Sequence, residues 1–249
     1  MKFFLNGIVL AIILSLLTIL SLFIGVSKVS ITDIFTLSKE QMNIIVSSRI
    51  PRTVSILISG STLALAGLIM QQMMQNKFVS PTTAGTMEWA KLGILISMIF
   101  FPQENIMIKL VFAVVLSIAG TFLFVKLVQY IRFTDVIFIP LLGIMLGGIV
   151  SSFSTFIALR TNTVQSIGNW LNGNFAIITS GRYEILYLSI PLLIFTYIFA
   201  NHFTIAGMGK DFSNYLGVNY ERIINIGLFI TATIRALVVV TVGTLPFLG

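Results

Sequence analysis

The sequence predicts an all-α polytopic membrane protein. Of its 249 residues, 57% are apolar and only 9% are charged, whereas a soluble domain carries about 25% charged residues. The apolar residues occur in long runs, and a helix needs about 20 mostly apolar residues to cross a bilayer. This composition would supply about seven such helices, which leaves little chain for a water-soluble domain.

Seven apolar runs are predicted to span the membrane. The first run follows Met1 and Lys2, is longer than a signal-peptide core and has no small-residue cleavage site after it, so we interpret it as a retained span. The predicted spans cover residues 4–26, 50–74, 84–101, 106–130, 136–159, 183–200 and 223–248. No linker divides them, so residues 1–249 are expected to form one membrane domain. Basic residues are nearly balanced between the two sides, and charge bias therefore does not decide the orientation.

Two of the predicted helices carry small residues every four positions. These residues are Gly60, Ala64 and Gly67 in the second span, and Gly143, Gly147 and Ser151 in the fifth. Small side chains let helix backbones approach closely inside a membrane. The pattern favours packing within the chain, and the alternative is that the fifth span lines a subunit interface or a central pathway.

Charged residues inside spans are costly and usually face a bundle interior or a watery cavity. Glu88 and Lys91 are three positions apart, so they can meet on one helix face. They form either a structural ion pair or a polar wall of a route for an anionic or metal-bound solute. Arg235 has no acidic residue at helical spacing, so its partner must lie on another helix, on a lipid headgroup or on a further segment of chain.

Three polar segments interrupt the apolar runs. Arg49 and Arg52 flank Pro51 at the start of the second span, where they could bind lipid phosphate or the carboxylates of a docking partner. Residues 75–81 form a sharp break between the second and third spans. Residues 209–222 predict two short helices separated by a left-handed turn at Gly217, and together they would form a ridge that caps the bundle or fits a cytoplasmic partner.

Several classes of protein are disfavoured by the composition. The net charge of +7 comes from isolated residues rather than from a basic cluster with interleaved aromatic residues, so nucleic acid is not an expected partner. The chain has no cysteine and one histidine, His202, which leaves no predicted metal site. No acid or nucleophile motif accompanies His202, so an intramembrane Ser and His enzyme is not supported.

Taken in order, these segments resemble the FecCD family, the permease subunits of type II ABC importers for iron siderophores, haem and cobalamin. The resemblance covers almost the whole chain. It is carried by RIPRT, SGSTLALAGLIMQQMMQNKFVSP, LLGIMLGGIVSS, WLNGN, FSNYLGVNYER and VVVTVGTLPFLG. The segment FVSPTTAGTMEWAKLGIL is more similar to the catecholate-type siderophore branch than to the cobalamin branch, which has small residues where Glu88 and Lys91 stand.

The resemblance implies a permease fold of about ten helices per subunit, paired as a dimer around a central pathway in the bacterial plasma membrane. It implies that the N-terminus is cytoplasmic and that Arg49 and Arg52 meet acidic residues of an extracellular siderophore-binding protein. Glu88, Lys91 and Arg235 are predicted as intramembrane charges that could line this translocation path. The expected cytoplasmic gate residues are Asn76, Phe78, Thr134 and Asp135.

The resemblance also implies that residues 201–222 form a cytoplasmic coupling loop resting on an ABC ATPase subunit. The residues assigned to this coupling are Ser213, Asn214, Leu216, Gly217, Val218 and Asn219. The chain has no P-loop motif, so it is expected to be a transport subunit without enzymatic activity or a cofactor of its own. ATP and magnesium would be bound by the partner ATPase.

Two alternatives remain at this stage. In an ion-coupled secondary transporter, the intramembrane charges would handle protons or a coupling ion, and uptake would not depend on an ATPase. The second alternative is a non-functional permease fragment or an assembly role, because members of the resembled family continue for about three more spans after the position of Gly249. The siderophore and the choice between a homodimer and a heterodimer stay open.

Overall fold

The structure, a computed structural model, describes residues 7–24, 38–79, 85–102, 105–130 and 138–245. Within these ranges the chain is helical, without β-strands and with one isolated parallel β-bridge between Asn172 and Thr244. The predicted all-α fold class is therefore confirmed.

The described residues form eleven α-helices. In chain order they are α1 (Gly7–Phe23), α2 (Lys39–Ile44), α3 (Ile50–Met73), α4 (Thr86–Phe100), α5 (Ile106–Tyr130), α6 (Phe138–Arg160), α7 (Val164–Leu171), α8 (Ser189–Ile198), α9 (Ala200–Ala206), α10 (Lys210–Tyr215) and α11 (Tyr220–Thr241). A π-helical turn, Ile45–Arg49, joins α2 to α3, and 3-10 turns cover Phe175–Ile177 and Tyr183–Leu188.

Each predicted span is helical over most of its described residues, although residues 242–245 of the last one form a turn and a β-bridge. Among the described residues, four apolar stretches are long enough to cross a bilayer, namely Lys39–Met73, Ile106–Val128, Phe138–Arg160 and Tyr220–Thr241. Tyr183–Ile198 and Ala200–Ala206 add a fifth if the pair, bent by 62°, is one span. Helix α4 has 15 residues, against the about 20 that a span requires.

Contacts divide the chain into two compact units. The first unit, residues 1–57 and 175–184, contains α1, α2 and the first turns of α3. A capping box between Ser38 and Gln41 begins α2, which satisfies amide groups that would otherwise lack partners. The hydroxyls of Ser21 and Thr53 lie 3.1 Å apart and join α1 to α3.

The second unit, residues 58–174 and 185–249, is organised around α11. Nearly every residue from Thr231 to Thr241 is buried, and a helix that is apolar on most sides belongs inside a bundle. Its Val239 and Val240 pack with Met87, Ala90 and Ile94 of α4. Helix α11 therefore packs directly against α4, and it also contacts α5, α8 and α9.

Helices α4 and α5 form the most extensive helix pair in the described chain. Their backbones approach at Gly93, where a Cβ atom would lie 2.5 Å from the carbonyl oxygen of Phe112. At Gly120, the Trp89 indole occupies the space where a side chain would be. Glycine at these positions is what allows the two helices to come so close.

The small residues of the fifth predicted span serve packing within the chain. A Cβ atom on Gly147 would lie 3.4 Å from Gly85 Cα and 3.3 Å from Glu88 Cγ, so this face of α6 receives the start of α4. Another face of α6 remains exposed and carries large apolar residues, among them Ile149 and Phe153. In the second predicted span, by contrast, a Cβ atom on Gly60 would meet nothing within 4 Å.

The glycine contact between α4 and α5 gives a stability prediction. Replacing Gly93→Ala should destabilise the protein by about 1–3 kcal/mol, because the added methyl group meets backbone atoms that can yield only if the helices separate. The matched control is Gly148→Ala, where the new Cβ atom meets nothing within 4 Å. Thermal unfolding in lipid nanodiscs should show a lower midpoint for the first variant only, and equal midpoints would contradict this packing.

Candidate functional site

Glu88 and Lys91 form an ion pair on α4, as their spacing predicts. Lys91 Nζ lies 2.8 Å from Glu88 Oε2 and donates a hydrogen bond to Oε1 at 3.1 Å. Their side chains are 24% and 23% exposed, so the pair is partly open to its surroundings. Glu88 reaches this position because Gly147 on α6 leaves space beside its Cγ atom.

Arg235 on α11 is the largest fully buried side chain among the described residues and is only 1% exposed. Its Nε and Nη2 atoms have no hydrogen-bond partner in that part of the chain. Glu88 acts on Arg235 electrostatically across the contact between α4 and α11, but among the described residues no ion pair joins the two side chains. Glu88 therefore lies in a charge cluster with two cations, of which Lys91 is its ion-pair partner.

A cavity of about 190 Å³ adjoins this charge cluster. Helix α4 contributes Glu88, Lys91 and Leu95, and α6 and α7 supply the remaining walls. The α6 wall carries hydroxyl groups and the α7 wall is mainly apolar. The lining residues are Ser151, Ser154, Thr155 and Ala158 of α6, and Val164, Ile167, Gly168 and Leu171 of α7. The hydroxyl wall follows a spacing of three and four positions on α6, a signal that the sequence reasoning missed.

The two arginines predicted for docking differ in their surroundings. Arg49 is buried and its Nη1 atom donates hydrogen bonds to the carbonyl oxygens of Leu22 and Phe23 at 2.7 and 3.0 Å. These are the last carbonyls of α1, which lack partners within their own helix. Arg52 is exposed in the first turn of α3. The Arg49 side chain therefore caps the C-terminal end of α1, while Arg52 remains accessible to another molecule.

The π-helical turn that contains Arg49 also accepts hydrogen bonds from the loop around Ser180. The sequence does not predict this contact. Ser180 donates through its amide to the Ser47 carbonyl at 3.2 Å and through its hydroxyl to the Val46 carbonyl at 3.2 Å. Arg182 follows two residues later, and partial burial lowers the pKa of its guanidinium from the ordinary value. A guanidinium starts from so high a pKa that it still carries its charge at neutral pH.

The predicted gate segment forms a tight turn after α3. Asn76 is 3% exposed and its Oδ1 atom accepts a hydrogen bond from the Phe78 amide at 2.8 Å. The side chain of Phe78 is 71% exposed. The other two predicted gate residues, Thr134 and Asp135, lie outside the described residues.

The predicted coupling segment begins with α10. Its buried residue Ser213 donates to the carbonyl oxygens of Ile205 and Gly209, which ties α10 to α9. The helix ends at Gly217, where φ is +75°. Val218 donates to the Ser213 carbonyl and Gly217 to the Asn214 carbonyl, which is the hydrogen-bond pattern of a Schellman motif.

One detail of this segment differs from the prediction. The helix after Gly217 is not a second short helix, because it begins at Tyr220 and continues for 22 residues as α11. The Asn219 side chain accepts a hydrogen bond from the Arg222 amide at 3.0 Å and so caps this long helix. Lys210 Nζ pairs with Glu221 Oε1 at 2.8 Å across the turn, and this hydrogen bond raises the pKa of Lys210.

The gate and coupling segments lie at the same end of the second unit. A pocket is lined by Gln75 after α3, Val128 of α5 and Tyr220 of α11. A Cβ atom on Gly209 would lie 3.3 Å from Gln75 Nε2. Gln75 and Gly209 are 134 residues apart in the sequence, and tertiary packing brings them together.

The opposite end of α11 is joined to the loop after α7. Thr244 donates to the Leu171 carbonyl through its amide at 2.9 Å and through its hydroxyl at 2.7 Å, and the Asn174 amide donates to the Val242 carbonyl. The two backbone segments touch at Gly173 and Gly243, where a Cβ atom on Gly243 would lie 3.0 Å from Gly173. The motifs WLNGN and VVVTVGTLPFLG contain these glycines, but the sequence alone does not predict that they meet.

The sequence match agrees with this arrangement. A family model described as the FecCD transport family matches residues 13–249. The chain belongs to the FecCD transport family. As a member of this family with several apolar helices, it is a multi-pass membrane transport protein.

Individual relatives of this FecCD protein are named as siderophore permeases. It is 53% identical over 240 residues to the petrobactin import system permease protein YclN of Bacillus subtilis, covering 96% of this chain and 76% of the relative. It is 37% identical to the petrobactin import system permease protein FatD of Bacillus anthracis, covering 97% and 71%. It is 34% identical to the ferric-anguibactin transport system permease protein FatD of Vibrio anguillarum, covering 92% and 73%.

The fold of the FecCD chain is also found in a solved structure. A chain described as a metal-chelate type ABC transporter in an inward-facing conformation superposes with a TM-score of 0.76. The match covers 96% of this chain and 76% of the other at 21% identity, so it supports the fold alone.

The charge cluster of this FecCD protein can be tested by a double-mutant cycle. Glu88→Gln and Arg235→Met should each destabilise the protein, and the two effects should be non-additive by about 0.5–3 kcal/mol, because both remove the same interaction. Chemical unfolding in nanodiscs measures the coupling. The control cycle pairs Glu88→Gln with Lys210→Met and should be additive within about 0.5 kcal/mol; additivity in both cycles would contradict the cluster.

Proposed function

We propose that this chain is the permease subunit of an ATP-driven importer for iron chelates of catecholate-type siderophores. The observation that carries the proposal is the 53% identity to a petrobactin import permease over 96% of the chain. The charged and hydroxylated cavity next to Glu88 and Lys91 adds physical support, since a hydrophilic chelate needs polar groups along its route through an apolar bundle.

The proposed subunit has three protein partners and no cofactor of its own. An ABC ATPase subunit binds ATP and magnesium, an extracellular siderophore-binding protein delivers the chelate, and a second permease subunit, identical or related, completes the pathway. In this arrangement Glu88, Lys91 and Arg235 belong to the translocation path. An ion-coupled secondary transporter is the competing function, and it predicts uptake that persists when the ATPase is lost.

The function is tested by uptake of iron-loaded petrobactin into cells that lack their own permease for it. Expression of this protein with its importer partners should restore uptake of radioactive iron. Inactivating the partner ATPase should abolish that uptake, whereas dissipating the ion gradients while ATP is maintained should leave it. The reverse pattern would support the secondary transporter instead.

We propose that the ATPase docks on the α10 ridge, defined as residues 210–219. Phe212, Tyr215 and Leu216 are 51%, 90% and 54% exposed, and apolar side chains grouped in this way are typical of a protein interface. The remaining coupling residues would stabilise the conformation of the ridge; they are Ser213, Asn214, Gly217, Val218 and Asn219.

We also propose a cytoplasmic gate at the same end of the second unit. Its residues would be Asn76, Phe78, Thr134 and Asp135.

The ridge proposal predicts the effect of a change at its exposed apolar surface. Leu216→Asp should lower stimulated ATPase activity and chelate uptake at least about tenfold, because it places a desolvated carboxylate in the interface, a cost of more than about 1.4 kcal/mol. Leu216→Met, which keeps an apolar side chain of similar size, is the matched control and should retain both. Normal activity in Leu216→Asp would favour a passive cap.

We propose that the binding protein docks at Arg52, with Arg49 holding the adjacent helix end. Arg52 is exposed, and guanidinium groups bind carboxylates in a bidentate geometry. Arg49 was also expected to dock, but its hydrogen bonds to α1 favour a supporting role in the arrangement described. Its neighbours Arg182 and Ser180 would border the same surface.

The docking proposal predicts different effects for two exposed arginines. Arg52→Glu should weaken binding of the purified binding protein and lower uptake at least about tenfold, since it places like charges together in the interface. Arg160→Glu, also exposed but at the end of α6, is the control and should leave both unchanged. Surface plasmon resonance with the permease in nanodiscs measures the binding step, and equal affinity of Arg52→Glu and the unsubstituted protein would contradict the assignment.

A further inference from the structure

The cavity between α4, α6 and α7 has the size of a single aromatic ring. Its volume is about 190 Å³, and an apolar protein cavity of about 150 Å³ admits one benzene molecule. A whole iron chelate would not fit, but one arm of a chelate would. The cavity is therefore a subsite and not a chamber for the complete substrate.

The walls of this cavity differ in chemistry from one side to the other. Ile167 and Leu171 of α7 face it together with Leu95 of α4, which gives a surface suited to the face of a ring. On the other side lie Lys91 and the hydroxyl-bearing face of α6. A ligand that matches both sides has an apolar ring and oxygen atoms at one edge of it.

The polar side offers a charged hydrogen-bond donor to the oxygen atoms of a ligand. Lys91 lines the cavity, is paired with Glu88 and has a side chain that is 24% exposed. An ammonium group carries three donor hydrogens, so the ion pair leaves Lys91 able to donate to a ligand oxygen.

The α6 hydroxyls that line the cavity leave the donation to Lys91. Ser154 and Thr155 donate to the carbonyl oxygens of Val150 and Ser151 at 2.7 and 2.9 Å, so their protons are not free for a ligand oxygen. Thr155 is exposed and the Lys91 side chain is partly exposed. The cavity is therefore open at the surface of the described part of the chain.

We propose that this cavity binds one oxygen-bearing aromatic ring, the catecholate arm of an iron chelate, with the ring against α7 and the oxygen atoms beside Lys91. The inference rests on the proposed import function. It adds that the chelate is held through one arm at a defined place during its passage. A chelate whose arms lack aromatic rings would not fill the apolar side.

The binding experiment uses the full chain in lipid nanodiscs and an azide-bearing 3,4-dihydroxybenzamide as a photo-crosslinking probe. Mass spectrometry should locate the crosslink in residues 88–95 or 151–171. Unlabelled 3,4-dihydroxybenzamide should compete, whereas benzamide, which lacks the ring oxygens, and succinate, which lacks the ring, should not. A crosslink elsewhere, or equal competition by all three compounds, would overturn the proposal.

One substitution on the cavity wall and one outside it provide the structural control. Gly168→Leu fills the cavity, and because a Cβ atom at Gly168 meets nothing within 4 Å, the fold has room for it. This variant should lose the crosslink, while Gly148→Leu, equally free of contacts and outside the cavity lining, should keep it. An unchanged crosslink in a folded Gly168→Leu variant would overturn the proposal.

The role of the Lys91 ammonium in ligand binding is tested with Lys91→Met, which removes the charge and leaves a side chain of similar length. Loss of a hydrogen bond from a charged donor should weaken competition by 3,4-dihydroxybenzamide about tenfold. Lys126→Met, at an exposed lysine of α5, should leave it unchanged. Size-exclusion chromatography confirms that both variants are folded, and equal affinities would overturn the role of Lys91.

Uptake separates this inference from the function on which it rests. In the assembled importer, Gly168→Leu should lower uptake of a catecholate chelate and Gly148→Leu should not. If the unsubstituted importer takes up the chelate but the probe does not crosslink in the cavity, the subsite is wrong and the import function stands. If the probe crosslinks there but no importer containing this protein takes up the chelate, the import function is wrong, and the cavity has no role in transport.

Discussion

The carboxylate of Glu88 is the interaction on which the packing of the inner helices depends. It faces an ammonium on α4 and interacts with the guanidinium of Arg235 on α11, in surroundings where an unpaired charge costs several kcal/mol. The side chain can occupy this place because Gly147 of α6 leaves room beside its Cγ atom. The small residues of α6 and the charges of α4 therefore belong to one arrangement.

Different segments of the chain meet at the two ends of the second unit. At one end the turn after α3 and the α10 ridge lie together, and at the other end Thr244 is bonded to Leu171. Helix α11 joins these ends over about 33 Å, from its 22 residues at 1.5 Å each. Nearly every residue from Thr231 to Thr241 is buried, so this half of α11 is held by packing on most of its sides, with the charge of Arg235 inside it.

The sequence was sufficient for what depends on composition and local spacing. Hydropathy located the seven helical segments, the three-residue spacing paired Glu88 with Lys91, and Gly217 indicated the end of α10. The sequence was insufficient to predict contacts between residues that are far apart along the chain. Three such contacts depend on tertiary packing: the hydrogen bonds of Arg49 to α1, the attachment of Ser180 to the π-helical turn and the electrostatic effect of Glu88 on Arg235.

The contact between Gly173 and Gly243 has a mechanical consequence for the cavity. Because neither glycine leaves room for a side chain and three hydrogen bonds surround the contact, the last turn of α11 and the end of α7 must move together. Helix α7 is also the apolar wall of the cavity beside Lys91. A tilt of α11 imposed at the α10 ridge would thus act as a lever that widens or narrows a binding volume one helix length away.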